Sequence, residues 1–260
     1  MIDIQYIRSF FPPSIAGQKR FDRYMLKEYL QLMILDHIST TSYMSQLSFI
    51  GDTNLRLIHQ IDRFSEDLDF DCKEMTETDF MDMTDSVVHY LHQNNIEVET
   101  RDKKNPKLTA FRRNLYFPQM LFNLGMTGHR EEKFLIKIES QDQGISYVPE
   151  IETINKMGFF FNLQVPPLSV LCSMKLTALL NRSKGRDFYD TIFLLSKTDP
   201  DFMFLQKKEG ISDIEELKEK VIKKLATVDL ALKQRDFEHL LFTPTNSQRI
   251  LQFEDYIRKL

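Results

Sequence analysis

Arg63-Phe64-Ser65-Glu66-Asp67-Leu68-Asp69-Phe70, continued by Asp71-Cys72, is the stretch around which the rest of the sequence arranges itself. From Leu68 to Cys72 apolar and acidic residues alternate with period two, the pattern of a strand with one buried face. Asp67 and Asp69 stand two positions apart at the start of that strand, so their side chains project from the same face, with Cα atoms about 6.5–7 Å apart. One cation can bridge carboxylates so placed. Magnesium, a hard ion, is usually held by one or two carboxylates together with phosphate oxygens and water. There it would offset triphosphate charge and orient the α-phosphorus for attack. A bare D-x-D is weak by itself, because acidic pairs at strand ends are commonly solvated. The surrounding sequence has to decide.

Upstream, Leu47-Ser48-Phe49-Ile50 is a short apolar run that stops at Gly51 and is followed by a helical segment, Thr53 to Gln60, which makes a strand–turn–helix unit. Before it, residues Phe21 to about Ser42 carry apolar side chains at mostly helical spacing and read as one long amphipathic helix. Downstream, a helix fits Thr78 to Gln93, and strands fit Ile96 to Arg101, Leu108 to Phe117 and Phe134 to Ser140. Beyond Val165-Pro166-Pro167 the β character fades, and helices fit Leu168 to Asn181, Asp187 to Lys197, Asp213 to Leu225 and Asn246 to Leu260. The expected class is α/β (α+β): a mixed sheet flanked by helices, then a helical C-terminal region. A boundary near Pro166 assigns 1–165 to a catalytic domain and 166–260 to a helical companion. The lysine and glutamate mixture at Lys207 to Lys224 looks like a solvated helical face.

The 260 residues include 42% hydrophobic and 28% charged side chains, the balance of an ordinary globular protein rather than a disordered or fibrous one. With a formal net charge of −4, a nucleic acid partner has to be held by a local basic patch, not by a global positive field. Cys72 and Cys172 form no C-x-x-C pair and read as reduced structural thiols. The start Met1-Ile2-Asp3-Ile4-Gln5 lacks a signal peptide, and no stretch approaches the ~20 apolar residues needed to cross a bilayer, so a cytoplasmic location without membrane partners is expected. The six histidines show no paired zinc spacing, and neither a P-loop nor G-x-S-x-G is present.

Phe49-Ile50-Gly51-Asp52-Thr53-Asn54-Leu55-Arg56-Leu57, taken with Arg63 to Phe70, resembles the signature of AbiEii-type nucleotidyltransferases, in which a Gly-rich turn precedes R-F-S-x-D-L-D-F. A turn between strand and helix presents backbone N–H groups to phosphate oxygens, and the next strand supplies metal-binding acids. A second block, Lys175-Leu176-Thr177-Ala178-Leu179-Leu180-Asn181-Arg182-Ser183-Lys184-Gly185-Arg186-Asp187-Phe188-Tyr189-Asp190, resembles the family pattern K-x-x-A-L-x-x-R followed by R-D-x-x-D. The resemblance implies a nucleotidyltransferase sheet and the toxin half of a bacterial toxin–antitoxin or phage-defence pair, with a cognate antitoxin. It also implies magnesium (or manganese) as cofactor, an NTP as donor and, by analogy with MenT-type relatives, tRNA as the first choice among RNA acceptors. Asp67 and Asp69 would hold the ion, and Lys175 would clamp the triphosphate. An acid of the R-D-x-x-D block is counted with the active site, Asp187 and Asp190 both being open. Arg182 lies on the Lys175 side of its helix, where both can address one anion. Alternatively, Arg186 and Asp190 make an i, i+4 pair and Asp187 caps its helix.

Glu139, in Leu135-Ile136-Lys137-Ile138-Glu139, is a candidate third carboxylate, for metal or as proton acceptor, or else a member of a cross-strand ion pair. The expected substrate-binding set is Gly51, Asp52, Thr53, Arg63, Ser65, Lys137, Arg182 and Arg186. Asp52 departs from the family's Gly-Gly or Gly-Ser and suits an N-cap for the helix that follows. Basic and aromatic residues interleave at Lys103-Lys104-Asn105-Pro106-Lys107 and Phe111-Arg112-Arg113, and Lys184-Gly185-Arg186 adds a basic turn. These clusters are candidates for following an RNA backbone. The rival readings are a protein hydroxyl as acceptor and a non-catalytic nucleotide-binding regulator.

Overall fold

The computed structural model describes residues 2–101 and 110–260. Two short helices, α1 (Ile4–Arg8) and α2 (Pro13–Ala16), lead into α3 (Asp22–Ser39). Every residue of α3 from Leu30 to Leu35 is buried, because the helix packs on a strand hairpin, on a second long helix and on α1. The expectation of an amphipathic helix is therefore corrected: α3 is central and covered on several sides, and its buried positions include the polar residues Asp22, Lys27, Glu28 and Gln31 as well as apolar ones.

β1 (Leu47–Ile50), α4 (Gly51–Leu57), β2 (Leu68–Cys72), α5 (Glu77–Gln93), β3 (Glu99–Thr100), β4 (Phe111–Tyr116), α6 (Met120–Asn123) and β5 (Leu135–Ser140) follow. They form a five-stranded sheet in the order β1-β2-β5-β4-β3. Only the β2–β5 pairing is parallel; the others are antiparallel. This is the expected mixed sheet. The strand expected at Ile96 to Arg101 shrinks to Glu99–Thr100, whose partners are Tyr116 and Leu115. Leu108 and Thr109, at the start of the next expected strand, lie outside the described residues. α5 opens on a reciprocal cap, with the Asp79 N–H donating to Thr76 Oγ1 at 3.1 Å and the Thr76 N–H to Asp79 Oδ2 at 3.0 Å.

Besides several short helices, the hairpin of β6 (Glu150–Lys156) and β7 (Phe159–Val165) was not anticipated. Its two-residue turn is Met157-Gly158, with φ of 53° and 85°, the handedness that matches strand twist. Gly158 was the available signal.

After Val165 come α7 (Leu168–Arg182), α8 (Gly185–Leu195), α9 (Phe202–Glu209), α10 (Ile214–Leu225), α11 (Leu230–Arg235) and α12 (Phe253–Arg258). The helix expected over Asn246 to Leu260 divides into a 3₁₀ segment, Pro244–Gln252, and α12. Within the 3₁₀ segment, Asn246 and Ser247 commit their side chains to Asp62 and Glu238.

The chain separates into two compact units. The first contains residues up to Ile58, Phe64–Gly144 and Pro149–Val165; the second contains His59–Arg63, Ile145–Val148 and Pro166–Leu260. Cys72 and Cys172 are buried thiols, and burial pushes Cys172 up to about 12.

Candidate active site

In the first unit, strand register sets a charged row. Asp69 pairs with Glu139 across β2 and β5, and Glu139 with Arg112 across β5 and β4. Asp67, one position before the Leu68–Ile138 pair, faces Lys137, whose Nζ is 3.0 Å from Asp67 Oδ2 and 3.5 Å from Glu139 Oε1. Arg112 Nε lies 2.6 Å from the same Glu139 oxygen. Glu139 thus takes part in the cross-strand ion pair that the sequence left open. Burial opposes the charge of Lys137, but Asp67 and Glu139 outweigh it and hold the ammonium above its ordinary pKa. The remaining acid of the alternation, Asp71, is buried and accepts the Gln143 N–H at 2.8 Å.

Gly51 explains how the Asp69 carboxylate fits. Its φ is 79°, and a Cβ at this position would lie 2.3 Å from Asp69 Oδ2. The carboxylate therefore rests against a bare Cα where the chain turns from β1 into α4. Because α4 begins at Gly51, with Ile50 extended at its N-cap, Asp52 sits inside the first turn. The N-cap expectation for Asp52 is corrected: α4 begins at Gly51, earlier than the sequence indicated, and Ile50 takes the N-cap position. Asp52 is buried, and its charge still complements the positive end of the helix dipole.

Thr53 and Ser65 are both buried, with their hydroxyl oxygens 2.7 Å apart. The Thr53 hydroxyl also bonds to the backbone carbonyl of Asp67. It has one proton, so donation to that carbonyl makes Ser65 the donor to Thr53. Gln31 Nε2, from α3, approaches the same oxygen at 3.5 Å. Two further polar residues of α3 point the same way. Lys27, 4% exposed, reaches Glu66 Oε1 at 3.2 Å, and burial lowers its pKa. Glu28 takes both arms of Arg56 at 2.8 and 3.0 Å. These α3 residues were missed in the sequence because nothing separates a buried polar position from a solvated one at helical spacing.

In the second unit, Asp190 is fully buried between two cations. Arg63 grips it with Nε at 2.8 Å and a second nitrogen at 2.6 Å, and Lys175 Nζ lies 2.9 Å from Oδ2. Asp187 has a different task, accepting the Lys184 N–H at 2.9 Å and two bonds from Arg182 at 3.0 and 2.7 Å. It is the acid of a helix start. Arg186 is half-buried in the first turn of α8. Beside Arg63, Asp62 accepts from Tyr189 and from Asn246, each at 2.7 Å.

A hard cation suits the donor set of the first unit. Among the described residues no group of three or more His, Cys, Asp and Glu is gathered tightly enough to hold a metal ion. The Asp67 and Asp69 carboxylates, completed by substrate oxygens and water, are the pair that fits.

The model of the family described as "Nucleotidyl transferase AbiEii toxin, Type IV TA system" matches residues 33–253. The chain belongs to this family. As an AbiEii protein it is a nucleotidyltransferase, an enzyme rather than a non-catalytic regulator, and its family implies an NTP substrate and an antitoxin partner. Among solved structures it is similar to MenT4, the nucleotidyltransferase toxin Rv2826c from Mycobacterium tuberculosis H37Rv, at 16% identity and a TM-score of 0.66 over 100% of this chain and 91% of that one. It is also similar to JHP933 from Helicobacter pylori, at 18% identity and a TM-score of 0.54 over 91% and 92%. At such identities the likeness speaks for the fold. No curated protein sequence matches the chain significantly.

Of the basic clusters in this AbiEii chain, Lys103, Lys104 and Lys107 lie outside the described residues. Arg113 is buried against Met81 and Asp85, which removes it from any surface that could follow an RNA backbone, whereas Arg112 lies on the opposite face of β4 with Glu139. Among the described residues no helix is long and apolar enough to cross a membrane.

Proposed function

We propose that this AbiEii protein transfers a nucleotidyl group from an NTP to an acceptor hydroxyl in a magnesium-dependent reaction, with tRNA as the acceptor. The observation that carries the reading is the seating of Asp69 against Gly51, with Asp67 two positions earlier on the same side of the β2 entry. A bound magnesium or manganese ion would neutralise phosphate charge and favour departure of pyrophosphate. Asp67 and Asp69 would hold that ion. Behind them Thr53 and Ser65 fix the backbone of Asp67, acting as supports for the acids. Lys137 is positioned to meet an anion held beside Asp67. Glu139, clasped by Arg112, is assigned to holding Lys137 rather than to ligating the ion. Lys175 and Asp190 are assigned to the reaction by their place in the second family block, Lys175 as the phosphate contact and Asp190 as the acid that sets it.

The test is incubation of purified protein with each α-labelled NTP and a cell lysate, followed by digestion with RNase or with protease. Label released by RNase alone supports the RNA acceptor, and a purified tRNA pool should then reproduce the product. Label released by protease alone moves the acceptor to protein. No transfer from any NTP to any fraction overturns the reading.

A further inference from the structure

We propose that Lys137 and the divalent cation compete for the Asp67 carboxylate, so that Lys137 screens the acids before the ion arrives and is released toward phosphate when it binds. The inference rests on the assignment of Asp67 and Asp69 as the metal pair. Asp69 stands opposite Glu139 in the register of β2 and β5, and Lys137 links Glu139 to Asp67, so three carboxylates share this end of the sheet, where like charges raise one another's energy. Lys137 relieves this by lying between Asp67, at 3.0 Å, and Glu139, at 3.5 Å. Glu139 keeps Arg112 at 2.6 Å, so it does not depend on the lysine for charge balance. Asp67 has the weaker hold: its side chain is 29% exposed and that of Lys137 28%, which leaves water and ions access to the contact. An ammonium on a four-carbon stem is a movable point charge, unlike the planar fork of arginine. A cation bound at Asp67 makes the ammonium redundant there. Lys137 then keeps Glu139, two residues along the same strand face, and turns its remaining donors to the phosphate that accompanies the ion.

The experiment is a Mn²⁺ titration of nucleotide-free protein, followed by electron paramagnetic resonance of the free ion, on wild type, Lys137→Met, Lys137→Arg and Asp67→Asn. Lys137→Met should bind Mn²⁺ about three- to fivefold more tightly, the range for removing an ion pair of this exposure. With Mn²⁺ saturating, its KM for NTP should rise. Lys137→Arg, which keeps the charge, should remain as weak as wild type. Unchanged or weaker Mn²⁺ binding by folded Lys137→Met overturns the exchange; Lys137→Gln serves the same purpose if the methionine variant does not fold. Wild-type affinity in Asp67→Asn would instead overturn the assignment of the metal pair, a failure distinguishable because it leaves the variant's binding curve superimposed on that of wild type.

Discussion

The Asp69 carboxylate occupies space that any residue but glycine at position 51 would fill. Gly51→Ala must therefore displace Asp69 and also hold alanine at a φ of 79°. Such strain costs about 1–3 kcal/mol. We expect a lower melting temperature together with loss of transfer, and an alanine variant of wild-type turnover would refute the close approach. Asp67→Asn and Asp69→Asn test the same place without strain, since each removes a charge and nearly preserves volume. Both should melt like wild type yet lose roughly 100-fold or more in rate, which corresponds to several kcal/mol of transition-state stabilisation. Single-turnover assays at saturating NTP would show it, and undiminished rates would take these acids out of the chemistry.

Among the elements, the loop that delivers the acids is held by packing as much as by polar bonds. Phe64 is fully buried, with ring centroids 5.9 Å from Phe11, 5.4 Å from Phe21 and 5.5 Å from Tyr24. Phe64→Ala should cost about 3–5 kcal/mol, measurable by urea unfolding; a loss under 1 kcal/mol would show that the aromatic cluster collapses around the gap. Between α7 and α8, Asp190→Asn should cost a similar ~3–5 kcal/mol, because it strands buried Arg63 and Lys175. Lys175→Met should be milder, as the Arg63–Asp190 pair survives. If calorimetry found the reverse order, the shared-carboxylate arrangement would be wrong. The acids, the Gly51 turn and the second block were legible in the sequence because each is contiguous and chemically distinctive. Lys27, Glu28 and Gln31 were not, since their burial is decided by elements far away in the chain. The β6–β7 hairpin was hidden for a different reason: Phe159-Phe160-Phe161 masks the alternation that its inward and outward faces otherwise show. As for Asp52, its residue type fits both an N-cap and a first-turn acid, and only the observed start of α4 at Gly51 separates them.

At the scale of the molecule, the chain visits the second unit at His59–Arg63 long before it settles there. His59 is the half-buried imidazole of that segment. Burial, with a smaller effect from Lys197, lowers its pKa to about 4, and its Nε2 has no hydrogen-bond partner among the described residues. The folded protein therefore takes up this proton later than the unfolded chain, whose histidine titrates near 6.5. Stability from His59 is complete above that value and declines as pH falls toward 4. Wild type should consequently lose more melting temperature than His59→Gln between pH 6.5 and 4; parallel curves would rule the histidine out. The pairing of Arg63 with Asp190 spans 127 positions, and this has a consequence for synthesis. At ~5–20 residues per second, Arg63 is incorporated roughly 6–25 s before its carboxylate partner has been translated. A polypeptide interrupted anywhere in that interval cannot form the Arg63–Asp190–Lys175 cluster, so for a toxin the stretch of translation between Arg63 and Asp190 acts as a timer on assembly of that cluster.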